Sequence, residues 1–523
     1  LGWLKVIFDE GLYDEAFVRD WCVGFAELKQ RVDEYPLERV AQITGVPAED
    51  IAAAARMYAQ ADGAVIPWTP ITDQQLSSTS AIRLHSILRA VSGNLDVAGG
   101  ETLGGFSQTY IPESEIGLHE RLSPEQKAKQ LGYDDHPAFT YRVAEMLKEP
   151  TEKVWGFPYA DIVMGCQMAN PTSVFRAMVS EDPYPIKAFC CLGNNALLSY
   201  ANQHQIHQAM LNQELIVAHE IFMTPTAMLA DYVLPGDVFT ERNHVADGWS
   251  WTTRLALSQK VVEPPAAASS TFQFWTDLAH RMGLGNEFPW TSLEDMLDYR
   301  LSRSDRTFEE FASESYMELV PPTFRKYQDK GFATPSGKVE LASSVLADLG
   351  FDPLPYYREL PGESEEYPYL VFTGVREDPF FQTGQRNIES LRRRMPAPSL
   401  YLHTSDAERE GLVDGDWAKL STPQGEVVAK IAVHETMKAG HIRVPHGWWY
   451  PELRGEATLA GAFISSDAVL CADSEEWLDH EQGVPHFKGF PGRVEKTTKP
   501  EQVTRSTAAH WKADQAVEAH AES

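Results

Sequence analysis

Several features are scarce in this 523-residue chain, and each shortage removes a class of function. Its five cysteines (Cys22, Cys166, Cys190, Cys191 and Cys471) form no C-x-x-C pair. That spacing supports neither a disulfide framework nor an iron–sulfur or zinc site, and buried free thiols are the reading for most of them. No run reaches the ~18 apolar residues of a membrane span. Positive charge is sparse: 45 Lys and Arg against 75 Asp and Glu leave a net −30. This argues against nucleic acid or an anionic membrane as the main partner. There is no G-x-S-x-G elbow and no phosphate loop of the G-x-x-x-x-G-K-[ST] type. His219-Glu220 and His434-Glu435 both lack the second histidine of H-E-x-x-H. Residue 1 is Leu, and the chain opens in a helix-like stretch, LGWLKVIFDEGLYDEAFVRDW. The expectation is that the natural N-terminus, with any leader, lies upstream.

What remains is a folded rather than a disordered chain. Hydrophobic residues make up 43% and aromatics 11%, and the length allows two to four domains. Pro36 to Ala59 reads as two short helices around a Gly45–Pro47 turn, with a third at Asp50 to Ala59. Ala64 to Trp68 reads as a buried strand, followed by the polar loop Thr72 to Gln75 and a helix from Ser80 to Val91. The glycines of SGNLDVAGGETLGG suggest a flexible crossing between domains, although they do not fit G-x-G-x-x-G. Strands and helices then alternate. Ile186 to Leu192 and Leu215 to Ala218 are strands at a spacing that suits a β-α-β crossover, and Phe272 to Leu284 is an amphipathic helix with a glycine stop. Ala333 to Leu341 is a tight turn feeding a strand. After the polar linker LPGESEEYP come short strands, YLVFTG, SLYLH, WAKLSTPQGEVVAKIAV and HIRVPHG, that predict a β-barrel. The tail beyond Lys496 reads as a surface arm. The domains expected are 1–100 and 101–360, both α/β with parallel sheets, and a barrel over 361–523.

The most informative stretch is Leu215 to Pro235, LIVAHEIFMTPTAMLADYVLP. Strand, polar tip, capped short helix and strand form an α/β half-unit of the kind that binds nucleotides at strand carboxyl ends. Glu220 stands where a carboxylate can accept hydrogen bonds from a guanine or a ribose. The same residues also read as a plain β-to-α turn with a threonine cap. Other polar clusters fall at strand ends: Gly193-Asn194-Asn195, Thr373-Gly374-Val375-Arg376, and Gln382-Thr383. An arginine there is suited to clamp a pyrophosphate. PHGWWYPE sets His446 beside Trp448 and Trp449, either as core packing or as a loop over something flat. Arg392 to Arg394 read most simply as a solvated helix face, with contact to a cofactor phosphate as the alternative.

Taken in order, these elements (GLYDEAFV, WTPITDQQ, SGNLDVAGG, LGNN, EIFMTPTAMLADYVLP, FATPSGKVEL, TGVREDPFFQTGQRNIESLR, GLVDGDWAKLSTPQGEV and HGWWYPE) resemble the large subunit of the dimethyl sulfoxide reductase-type molybdopterin oxidoreductases. The resemblance covers nearly the whole chain and leans toward the branch with thiosulfate/polysulfide reductase-like and acetylene hydratase-like members. It implies that the barrel is six-stranded and of the double-psi type. It also implies a molybdenum or tungsten ion held by two pyranopterin guanine dinucleotides. Carried over residue by residue, Glu220 and Thr224 bind one nucleotide, with Gly193, Asn194 and Asn195 nearby and Gln74 from the early loop. Thr373, Gly374, Arg376, Gln382, Thr383 and Lys488 are the barrel contacts, and His446 and Trp448 lie near the pterins. The chain departs from the family at Gln382, where a His is frequent, and at Ser466 to Ala468, where an Asn is frequent. A 4Fe-4S domain and the protein ligand to the metal have no counterpart here and are expected before residue 1, in the same polypeptide or in a partner iron–sulfur subunit. The implied function is electron or oxygen-atom transfer to a small-molecule substrate at the metal. His446 is the candidate acid or base, since an imidazole titrates near neutrality. Two alternatives stay open: hydration or aromatic dehydroxylation, with Phe380-Phe381 and Trp448-Trp449 lining the pocket, and a metal-free scaffold. The sequence leaves the compartment open between the cytoplasm and export by a twin-arginine signal upstream of residue 1.

Overall fold

The structure, a computed structural model, describes residues 1–104, 109–161, 168–246, 254–314, 316–318, 323–361, 364–453 and 458–503. Gly105, Cys166 and the end of the tail lie outside the described residues. The chain begins with short helices, Gly2–Asp9, Glu15–Trp21, Phe25–Asp33, Leu37–Thr44 and Ala48–Gln60, followed by Ser78–Val91. Leu4, Ile7, Phe8, Phe17 and Leu28 form their core, and Tyr327, Phe332 and Leu341, some 300 residues on, complete it. The two-residue strands Cys22–Val23 and Val339–Glu340 pair in parallel at this seam.

Pro36 to Ala59 holds two helices rather than three, because Gly45 takes a left-handed conformation that stops the first and Pro47 starts the second directly. Ala64 to Trp68 is not a strand. Pro67 has no N–H to offer a ladder, while Ala64 N donates to Asn94 Oδ1 (2.8 Å) and Ile66 N to Glu101 Oε1 (3.0 Å). Side chains satisfy this backbone, and Trp68 is 53% exposed. The following glycine loop is pinned rather than loose. Buried Asp96 accepts from Leu103 N (3.0 Å), Lys326 N (2.6 Å) and Lys326 Nζ (2.6 Å).

The middle of the chain carries a parallel sheet of β1 (Ala188–Leu192), β2 (Leu215–Glu220) and β3 (Tyr232–Pro235), in that spatial order. The helix Gln203–Leu211 makes the crossover between β1 and β2. A separate antiparallel sheet joins His244–Ala246, Arg254–Ser258 and Tyr316–Glu318.

The last part is a closed six-stranded barrel of β4 (Tyr369–Val375), β5 (Ser399–Leu402), β6 (Trp417–Ser421), β7 (Glu426–Val433), β8 (His441–Pro445) and β9 (Lys488–Lys496). Around the barrel the order is β5-β7-β6-β9-β4-β8, with parallel pairs β5/β7 and β8/β4. Inward residues alternate along each strand: Tyr369, Val371 and Thr373; Leu400 and Leu402; Val427, Ala429 and Ile431. Each Val, Leu or Ile among them contributes about 1.5–3 kcal/mol when taken from water. The barrel does not stand apart, because its Trp449 joins the core beneath the parallel sheet with Leu197, Ile206 and Ile216. No helix among the described residues is long and apolar enough to cross a membrane.

Candidate functional site

A cleft of about 1170 Å³ opens where the carboxyl ends of the parallel strands face the mouth of the barrel. Its α/β wall is set by strand register. Leu192 lies opposite His219, so the β1 and β2 tips emerge side by side, and Gly193 N donates to His219 O at 2.9 Å. Gly193 has φ +59°, and a Cβ built there meets nothing within 4 Å, leaving bare backbone toward the cleft. Glu220 ends β2, with Oε1 accepting from Ile221 N at 2.9 Å. Burial pushes its carboxyl above the usual range, and that N–H only partly opposes the shift. The short helix expected from Ala227 is a single 3-10 turn, Ala227–Leu229, whose N-cap Thr226 makes no side-chain cap bond, and Thr224 Oγ1 accepts from Ala227 N (3.2 Å).

The barrel wall is organised by buried Asp467. Its Oδ2 accepts from Gly374 N (2.7 Å), its Oδ1 from Gly447 N (2.7 Å), and His446 Nδ1 lies 3.3 Å from Oδ2. Burial alone would raise this carboxyl. The His446 imidazole and the two N–H donors outweigh burial and hold it below the ordinary value. Lys488 donates to Thr373 O, and burial lowers its ammonium, opposed by Asp467. Gly374 (φ +72°) passes so close that a Cβ would sit 2.6 Å from Lys488 Nζ. With the Gln382 amide oriented by its bonds, Oε1 accepts from Arg376 Nη2 (2.7 Å) and Nε (3.1 Å). Two buried groups grip the turn carrying Gln382 and Thr383. Arg386 donates to Gln382 O, to Gly384 O (2.7 Å) and to His446 O (2.7 Å), while Trp449 Nε1 donates to Thr383 O (2.7 Å).

The cleft brings together Gln74, Gly193, Asn194, Asn195, Glu220, Thr224, Thr373, Gly374, Arg376, Gln382, Thr383, His446 and Lys488. Trp448 is the exception. It is fully buried against Phe380 and under the guanidinium of Arg392, so Trp449 lines the cleft in its place. The same alternation buries Phe380 and leaves Phe381 on the wall. Arg392 is therefore not a solvated residue; it pairs with Glu452 at 3.2 Å. Thr373 contributes backbone, since its hydroxyl already donates to Phe487 O (2.7 Å). Phe222, Lys438, His441 and Arg443 also line the cleft, and Asp467 and Arg386 stand behind its wall, beyond the site residues expected from the sequence. Only Asp467 carried a signal, as an acid inside the stretch flagged at Ser466 to Ala468. Among the described residues the lining carries Arg376, Lys438, Arg443 and Lys488 with one carboxylate, Glu220, while behind it Glu377 pairs with Arg443 at 3.4 Å and Asp467 faces Lys488, in a chain of net −30. Among the described residues no three His, Cys, Asp or Glu are grouped to hold a metal ion.

A basic, glycine-edged cleft between a parallel-sheet domain and a six-stranded barrel defines a class, the dinucleotide-cofactor enzymes, and comparison with known proteins narrows it. Residues 146–281 match the molybdopterin oxidoreductase domain, and residues 370–490 match the molydopterin dinucleotide binding domain. Acetylene hydratase of Syntrophotalea acetylenica is 44% identical over 499 residues, covering 94% of this chain and 68% of that protein. The thiosulfate reductase molybdopterin-containing subunit of Salmonella typhimurium is 25% identical, covering 83% and 58%. Formate dehydrogenase H of Escherichia coli is 27% identical, covering 85% and 59%. The solved structure of acetylene hydratase from Pelobacter acetylenicus superposes with a TM-score of 0.91 at 43% identity, covering 95% of this chain and 69% of that one. The chain belongs to the molybdopterin oxidoreductase family, and as a member it is an enzyme with a molybdenum or tungsten pterin cofactor. It spans about two thirds or less of the length of these relatives.

Proposed function

We propose that this chain is the part of a catalytic subunit that holds two pyranopterin guanine dinucleotides around a molybdenum or tungsten ion. The observation that carries the reading is the cleft's division of labour. Glu220 and the buried Nδ2 of Asn195 lie at the strand tips, and Arg376, Lys438, Arg443 and Lys488 face the barrel side. Hydrogen-bonding groups suit a base, and a concentration of cations suits diphosphates. The residues present fit the group. A buried amide donor without a partner among the described residues needs an acceptor, and Gly193 and Gly374 allow backbone to approach one. When bound, the cofactor supplies the redox or Lewis-acid chemistry; the protein supplies binding, orientation and electrostatics. His446, held through Nδ1 by Asp467, keeps Nε2 to hold or move a proton at the cleft wall. The protein ligand to the metal, a 4Fe-4S cluster and the electron-transfer partner belong to a portion outside this chain.

Within this reading the family supports electron or oxygen-atom transfer. Hydration of a small unsaturated substrate is a second reading, favoured by 44% identity to acetylene hydratase against 25–27% to the redox relatives. The test is to purify the chain with its upstream portion, measure Mo and W, and release nucleotides by acid. Two GMP per metal are expected, and metal-free, nucleotide-free protein overturns the proposal. Substrate-dependent dye reduction supports the redox reading; product formation without dye reduction supports hydration.

A further inference from the structure

On the reading that this cleft holds a nucleotide, we infer that Thr226 sets the nucleotide preference by locking the amide of Asn195 with its donor end toward the ligand. Thr226 is itself buried and does not line the cleft, so it is a positioning residue. Asn195 Oδ1 receives Thr226 N at 3.3 Å and Thr226 Oγ1 at 2.8 Å. A backbone N–H can only donate, so the amide oxygen must face Thr226 and the nitrogen must face away. The hydroxyl is committed as well. Thr226 Oγ1 accepts from Leu197 N at 3.0 Å, leaving its single proton for Asn195. A one-way relay thus runs from Leu197 N–H through Thr226 to Asn195.

The consequence appears at the other end of the amide. Asn195 is 5% exposed and lines the cleft, and its Nδ2 has no partner among the described residues. An unmet buried donor is destabilising, so the site is built for a ligand that brings an acceptor. On the adjacent strand tip, Glu220 offers the opposite character: a carboxylate with Oε2 beyond the Ile221 bond. A fixed donor beside a fixed acceptor complements guanine, which has an acceptor oxygen at C6 and N–H donors at N1 and N2. In the same pose, with the amide nitrogen at the C6 substituent and the carboxylate at N1, adenine sets its amino N–H against the amide N–H and its N1 lone pair against the carboxylate. Thr226 therefore selects guanine over adenine without touching either, because a free amide could rotate and serve both.

The test is calorimetric titration of the full chain, stripped of cofactor, with GDP and with ADP. The parent is expected to prefer GDP, Thr226→Ser to keep the preference, and Thr226→Val to lose at least about tenfold of it by freeing the amide. A folded Thr226→Val with the parent's GDP/ADP ratio overturns the inference. Should Thr226→Val not fold, Asn195→Asp decides the matter. It keeps an oxygen for Thr226 but removes the donor, and an unchanged ratio again overturns the inference. A parent that binds neither nucleotide overturns the nucleotide reading itself, a different failure from a parent that binds GDP with Thr226 irrelevant.

Discussion

Asp467 shows how one side chain organises a binding wall without facing it. It is buried, yet it holds the backbone of Gly374 and Gly447 and the ring of His446, three groups from β4 and the loop after β8. A charged acceptor with three donors is worth more than the sum of neutral bonds. Asp467→Asn is expected to cost about 1.5–3 kcal/mol in urea denaturation at pH 7 and to lower metal and nucleotide content per chain. The pH dependence has a definite sign. The folded carboxyl titrates below its unfolded value of about 4, so its contribution is complete above that pH and fades as pH falls through the folded value. The gap between parent and Asn variant should close on acidification; a gap constant with pH would refute the electrostatic account.

At the scale of elements, the loop after β8 and the turn at 381–386 act as one piece. Gly447 (φ +52°) leaves no room for a Cβ, which would lie 2.4 Å from Thr383 Cγ2, and Trp449 Nε1 closes the contact. Both tryptophans are buried, but Trp449 borders the cleft while Trp448 packs behind it against Phe380, and this makes the two unequal. Trp449→Phe removes the bond to Thr383 and should reduce cofactor retention several-fold. Trp448→Phe, which breaks no hydrogen bond among the described residues, should lower the melting temperature by a few degrees and leave cofactor content intact. Equal losses from both would contradict the placement. The tandem was legible in the sequence as core packing or as a loop over something flat. Which of the two tryptophans borders the cleft was not, because the face of each ring depends on the partner turn some 65 residues away.

Over the whole molecule, the barrel is bolted to the N-terminal helices at Ser78–Val91. Asp479 accepts from Thr79 N (2.9 Å) and Thr79 Oγ1 (2.7 Å), and Glu481 accepts from Tyr356 OH (3.2 Å). Burial, then the nearby charge of Asp479, pushes the Glu481 carboxyl up to about 7. A folded value above the unfolded one means the group stabilises the junction in its neutral form, and that stability is lost as pH rises toward and through about 7. Glu481→Gln should therefore melt higher than the parent at pH 8, by on the order of 1–3 kcal/mol of stability, and match it near pH 4.5. A variant no more stable at pH 8 would remove Glu481 from this role.

The sequence by itself determined the parts whose physics is local. Alternation and turn residues marked four stretches of barrel strand, the apolar runs marked β1 and β2, and the strand-tip residues Gly193, Asn195, Glu220 and Thr224 followed from that layout. The strand at Lys488–Lys496 went unmarked, because Gly489, Pro491 and Gly492 break the alternation and only the neighbouring strands impose extended backbone there. Ala64 to Trp68 erred in the other direction: its apolar residues promised a ladder, and distant Asn94 and Glu101 took its hydrogen bonds instead. Only the tertiary structure decided which side chains face the cleft and which hold those that do. Asp467 and Thr226, and Arg386 through its bond to His446, reach residues 20 to 93 positions away, and no local pattern encodes a bond whose two ends meet only after the chain has folded.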